Sequence, residues 1–157
     1  MLFDEIADSI TKPFDIEVAI WFHDAIYYPM KNDNEKMSSN YAKVFLESIR
    51  LDSIKIREIE HLILLTKHPS TPITSDEKYL IDIDLSILGT KCKIYNNYEL
   101  QIREEYILVP DSLYIEGRKK VLNSFVKLDN IFQTKYFYEK YETKARQNIN
   151  LALKQLY

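Results

Sequence analysis

A chain of 157 residues, 46% apolar and 29% charged, has the length and composition of one ordinary soluble domain, expected to span 1–157. The net charge of -3 offers no footprint for a nucleic-acid backbone, and no run approaches the ~18 apolar residues of a membrane span. Lone Cys92 excludes an intrachain disulfide and a thiolate-only metal site, and "MLFDEIADSITKPFD" lacks the basic-then-apolar order of a secretory signal, so the expected location is cytoplasmic.

The five prolines fall between periodic segments, which read as helices throughout. The first spans about 15–28, capped by Asp15, with Ile16, Ile20, His23 and Tyr27 on one stripe. The second, about 34–50, is expected to bury Met37, Tyr41, Val44, Phe45 and Ile49, and the third, about 53–67, Ile56, Ile59, Ile63 and Leu64. A fourth begins at Ser75 or Asp76 and stops at Gly89, read as a positive-φ terminator. Segments at about 92–107, 112–128 and 134–156 complete the set. No stretch alternates with period two, so the class is all-α, a helical bundle of about six to seven helices. With only Gly89 and Gly117 available, a glycine-rich phosphate loop cannot be built.

In "AIWFHDAIYYP" the stripe carries His23 inward, and the adjacent Asp24 is displaced by about 100°. An imidazole and a carboxylate so placed can share a divalent ion, although a lone inward His is more often a satisfied core residue. In "LIDIDLSILG" the expected buried face is Leu80, Ile83, Ile87 and Leu88 with Asp84 near its centre, while Asp82 falls on the solvated side. A core-facing carboxylate costs several kcal/mol unless it is paired or binds a metal. Asp84 therefore needs a metal shared with the pair, or an Arg or Lys. Without a metal, the cluster is expected to favour protonated imidazole and to raise the carboxylate pKa values.

These residues, with "NDNEKMSSNYA", "LLTKHP", "DEKYLIDIDLSILG", "YNNYELQIREEY" and "GRKKVLNSFVKLDNIFQT", resemble the bacterial metal-dependent phosphohydrolases of the HD superfamily from about residue 14 onward. The resemblance implies an all-helical HD-like fold holding one divalent metal ion (Mn, Mg, Fe, Co or Ni) on His23, Asp24 and Asp84, with Asp82 as alternate to Asp84. It also implies water attack on a small phosphorylated substrate. The family's further His, on a helix before the pair, has no counterpart here. The expectation is either that the full protein begins upstream of Met1 or that this is a short form with a weakened site, since loss of an imidazole should lower metal affinity.

The same resemblance points to Glu35 as general base, the alternative being a capping box with Asn32. It assigns His68 to phosphate contact or proton donation, against a helix-end role, and Arg103 and Arg118 to phosphate oxygens, against ties between helices. His61 reads as packing, and Arg146 and Asn148 as structural. Two functions follow: hydrolysis of a nucleotide or similar phosphate ester, or an HD-fold binding module with a weakened site.

Overall fold

Seven α-helices and three short 3-10 turns, with no strand among the described residues, make up the computed structural model, which describes residues 2–156. No described helix is long and apolar enough to cross a membrane. The chain forms two compact units, 1–84 and 85–157.

The first unit holds α1 (Pro13–Phe22), α2 (Asn34–Ser48), α3 (Ser53–Leu65) and nearly all of α4 (Ser75–Leu85). Pro13 opens α1, as its missing N–H suits a first turn. The cap expected of Asp15 comes instead from α4, where the Asp76 carboxylate accepts the N–H groups of Thr11 (2.9 Å) and Lys12 (2.8 Å). Asp52 caps α3 by accepting from Ile54 and Lys55. Thr74 and Glu77 form a capping box at the start of α4: the Thr74 hydroxyl accepts from the Glu77 N–H (3.2 Å) and Glu77 from the Thr74 N–H (3.1 Å).

Other expectations fail in this unit as well, among them the burial of Leu64 on α3, which is exposed. α1 stops at Phe22 rather than at about residue 28, because Ser38 binds both the N–H and the carbonyl of Ile26 (each 3.1 Å) and so takes those groups out of any helical ladder. α2 buries Asn34, Ser38, Ser39, Ala42 and Leu46 and leaves Tyr41, Val44, Phe45 and Ile49 exposed. Small side chains let α2 lie close on α3, whose Ile56, Ile59, Leu62 and Ile63 supply the apolar volume; close approach outweighed the larger apolar stripe.

The second unit holds α5 (Cys92–Glu105), α6 (Asp111–Val126) and α7 (Lys135–Gln155) behind a 3-10 turn, Ser86–Gly89. α7 organises it. Its Asn148 donates to the carbonyls of Leu88 (2.8 Å) and Thr90 (2.9 Å), and its buried Glu142 accepts the N–H groups of Ile131 and Phe132. Arg146 donates to the carbonyls of Leu128 and Asp129 beyond the end of α6, so both Arg146 and Asn148 are structural.

Gly89 has no positive φ; close approach explains it instead, since a Cβ there would lie 2.5 Å from the Tyr141 Cβ and 2.8 Å from its carbonyl oxygen. At Gly117, within α6, a Cβ would meet nothing within 4 Å. Gly89→Ala is therefore expected to destabilise the chain by about 2 kcal/mol or more through overpacking, and Gly117→Ala to stabilise it by roughly 0.5–1 kcal/mol through helix propensity. Urea denaturation of the two variants checks both signs.

Candidate functional site

His23 closes the last turn of α1, its N–H donating to the Ala19 carbonyl at 2.9 Å, and Asp24 follows on the turn. The ring is fixed by Nδ1, 2.8 Å from the Ile20 carbonyl oxygen. A carbonyl can only accept, so Nδ1 carries a proton and Nε2 faces the acids. That arrangement is the usual support for a metal-binding imidazole.

His23 Nε2 lies 3.3 Å from Asp24 Oδ2 and 3.3 Å from Asp84 Oδ1. The other oxygen of Asp84 lies 3.1 Å from His68 Nε2. Four side chains from three stretches of the first unit thus meet in a chain of polar contacts: Asp24, His23, Asp84, His68.

The segment carrying the pair is pinned by residues that hydrophobic patterning passed over. Asn34, buried at the start of α2, accepts from the Tyr28 N–H (2.9 Å) and donates to the Tyr28 carbonyl (3.0 Å). Ser38, one turn on, holds Ile26 as described, and Lys67 donates to the Asn32 carbonyl. The signal was the polar Asn34 and Ser38 at helical spacing just after the His-Asp pair.

On α4 the orientation of the acids differs from the expectation. Asp82 is fully buried, at 0% exposure, whereas the Asp84 side chain keeps 23%. The buried residues are Leu80, Ile81, Asp82 and Leu85, with Ile83 and Ile87 only partly covered. Pairing of Asp84 with two imidazoles sets the rotation of the helix and turns Asp82 inward.

Burial alone would lower the His23 pKa, but hydrogen bonds with Asp24 and Asp84 outweigh it and raise it from 6.5 to about 10. Burial would likewise raise Asp84, yet the hydrogen bonds from His23 and His68 prevail and bring it from 3.8 to about 2. The expected upward shift through mutual repulsion is thus reversed at Asp84, because two imidazoles face its carboxylate.

Glu35 stands in the first turn of α2, partly exposed, with no hydrogen bond or ion pair to the cluster. It makes no capping box with Asn32, since α2 starts at Asn34 with Asp33 at the cap position and no side-chain cap. Arg103 donates to Asp111 (2.6 Å) and to the Tyr106 carbonyl (2.6 Å), closing the α5–α6 turn. Arg118 forms a two-pronged pair with Glu99 (2.9 and 2.7 Å) that ties α6 to α5. His61 is exposed rather than packed, 3.3 Å from Glu77.

The donor set suits a divalent ion in kind, with imidazole nitrogen and carboxylate oxygen. The two 3.3 Å spacings about His23 Nε2 match neighbouring ligand atoms on one ion, roughly 3.0–3.5 Å apart for bonds of ~2.0–2.2 Å. Among the described residues, however, no three His, Cys, Asp or Glu side chains stand ready as a complete ligand group; these four bond to one another instead. Compared with family models, with curated proteins and with solved structures, the chain matches none.

A pH dependence of metal-free stability follows. The raised His23 pKa contributes stability that is complete below pH 6.5 and lost as pH rises through about 10. The lowered Asp84 pKa contributes stability that is complete above pH 3.8 and lost as pH falls through about 2. In chelator, the urea midpoint should fall between pH 6.5 and 10, and His23→Gln should flatten that fall. Parallel curves for the two proteins would assign the fall to other groups.

Proposed function

We propose that this chain is an HD-like, metal-dependent phosphohydrolase in which His23, Asp24 and Asp84 hold one divalent ion and a nucleotide or other small phosphate ester is the substrate. The observation that carries the reading is the meeting of His23 with Asp24 and Asp84, with His68 on the far oxygen of Asp84. An ion bound there supplies a Lewis acid for the phosphoryl group and lowers the pKa of water.

The remaining work falls to the chain's own side chains. His23 keeps Nε2 directed at the acids through its Nδ1–H bond to Ile20, and it must lose the Nε2 proton before it can act as a ligand, so ion affinity rises with pH. His68 fixes the second oxygen of Asp84 and, with a partly exposed ring, can pass a proton to a leaving-group oxygen. Glu35, without a partner to give up, serves as the base. Nothing in this reading requires Arg103 or Arg118, whose donors are engaged within their own unit.

A second reading, an HD-fold binding module, is favoured by one observation: the four side chains already bond to one another and leave no ready ligand group among the described residues. Phosphate release from p-nitrophenyl phosphate and nucleoside monophosphates, with and without added Mn, separates the two. The enzyme reading expects turnover that chelator abolishes and that Asp24→Ala loses almost entirely. Glu35→Gln should keep the metal and lose about 10²-fold or more in rate. Neither metal uptake in equilibrium dialysis nor phosphate release would leave the module.

A further inference from the structure

A second polar centre lies in the first unit and shares no residue with the His23 cluster. Residues of α1, α3 and the start of α4 line a cleft of about 540 Å³, within the size range of small-molecule sites. Its polar groups come from Asp15, Glu58, Asp76 and Glu77 on the acidic side, and its apolar wall includes Ile16, Ile54 and Leu62.

Three of the four acids are answered within the chain. Asp76 accepts two backbone N–H groups, Glu77 accepts those of Ile73 (2.6 Å) and Thr74 (3.1 Å), and Glu58 takes the Lys12 ammonium at 2.7 Å. Asp15 is answered only in part: its carboxyl shares a side-chain hydrogen bond with Glu58, yet it is 2% exposed and its Oδ1 is buried without a hydrogen-bond partner. The Lys55 ammonium makes a long ion pair with that oxygen at 3.9 Å, beyond hydrogen-bond distance, and lies over the Phe14 ring. A buried carboxylate oxygen left in that state keeps a desolvation penalty that no hydrogen bond offsets. Burial pushes the Asp15 carboxyl upward, Lys55 opposing.

The same cleft carries the opposite charge. Arg57 is exposed and makes no hydrogen bond or ion pair among the described residues, although it lines the cleft with Asp15. The lining of one cleft thus holds an acid oxygen without a hydrogen-bond donor and a cation without an anion, together with aliphatic surface.

We propose that this cleft binds a small zwitterion, an amino carboxylate whose ammonium group is received by Asp15 Oδ1, whose carboxylate meets Arg57, and whose aliphatic body lies on Ile16, Ile54 and Leu62. The ammonium supplies the hydrogen-bond donor that Oδ1 of Asp15 lacks, and Arg57 selects against simple amines. The site is independent of the phosphohydrolase reading, because none of its residues enters that centre.

The test is binding to the full chain, followed by calorimetry and by methyl NMR of Ile16, Ile54 and Leu62. The probes are δ-aminovalerate, pentylamine, which lacks the carboxylate, and valerate, which lacks the ammonium. δ-Aminovalerate should bind best and shift those methyl signals. Asp15→Asn should weaken both δ-aminovalerate and pentylamine by roughly tenfold or more, as loss of a charge-assisted hydrogen bond implies. Arg57→Gln, a surface change that spares the fold, should weaken δ-aminovalerate by up to about fivefold, as for an exposed ion pair, and leave pentylamine unchanged. No binding of any probe at ~10 mM, weaker than any specific millimolar site, overturns the proposal. So does binding that ignores both substitutions or shifts methyl groups elsewhere. If Asp15→Asn fails to fold, Arg57→Gln and the methyl map still decide.

Discussion

The first unit depends on one carboxylate. Asp84 offers one oxygen to His23 and the other to His68, so the end of α1, the segment after α3 and the last turn of α4 must all arrive at the same place. Neither histidine could hold the acid alone without leaving an oxygen partly buried and unanswered, which is the costly state for a carboxylate. Sharing resolves this, and it fixes the rotation of α4, since the helix cannot turn to expose Asp82 without pulling Asp84 from both rings.

That constraint reaches back into α2. For His23 and Asp24 to face Asp84, the chain must leave the helix right after Phe22 and run as an irregular segment to Asn34. Such a segment carries backbone groups that need partners, and Asn34 and Ser38 supply them at Tyr28 and Ile26. Polar residues therefore occupy the inner face of α2, and the aromatic and aliphatic residues Tyr41, Val44, Phe45 and Ile49 are displaced outward. The unusual distribution of polarity on α2 is a consequence of where the His-Asp pair has to be.

Much of this was legible in the residues alone. All seven helices could be placed to within a few residues, except the end of α1, because proline punctuation and helical periodicity are local signals. That His23, Asp24 and Asp84 come together was also readable, whereas the contact of His68 with Asp84 was not, since His68 was assigned to a phosphate or to a helix end. What could not be read was rotation. Periodicity ranked α2 by hydrophobicity and α4 by apolar spacing, and both faces came out turned, since long-range hydrogen bonds from Ser38, Asn34 and Asp84 decide them. For Arg103 and Arg118 the residues left open both phosphate contact and ties within the bundle; the α5–α6 turn and the packing of α6 on α5 bring Asp111 and Glu99 to them and favour the ties.

Asp15 and Asp84 meet the same physics with opposite outcomes. Both are acids on helices, Asp15 buried and Asp84 partly covered, and for both the largest influence on the carboxyl is desolvation, which disfavours its charge. At Asp84 two imidazoles from within the chain reverse that effect and bring the pKa to about 2. At Asp15 the Lys55 ammonium reaches Oδ1 only as a 3.9 Å ion pair without a hydrogen bond, so burial, with Glu58 beside it, prevails and the carboxyl is raised. An acid fully answered by its own chain can be opened only by a group that competes with those partners, as a divalent ion would have to compete with protons for an imidazole. An acid with one oxygen unanswered can take a donor there without displacing its other partners. On the two proposed readings the first arrangement would respond to pH and metal together and the second to the shape and charge of a small zwitterion, so that one small unit would hold two polar centres whose ligands are not interchangeable.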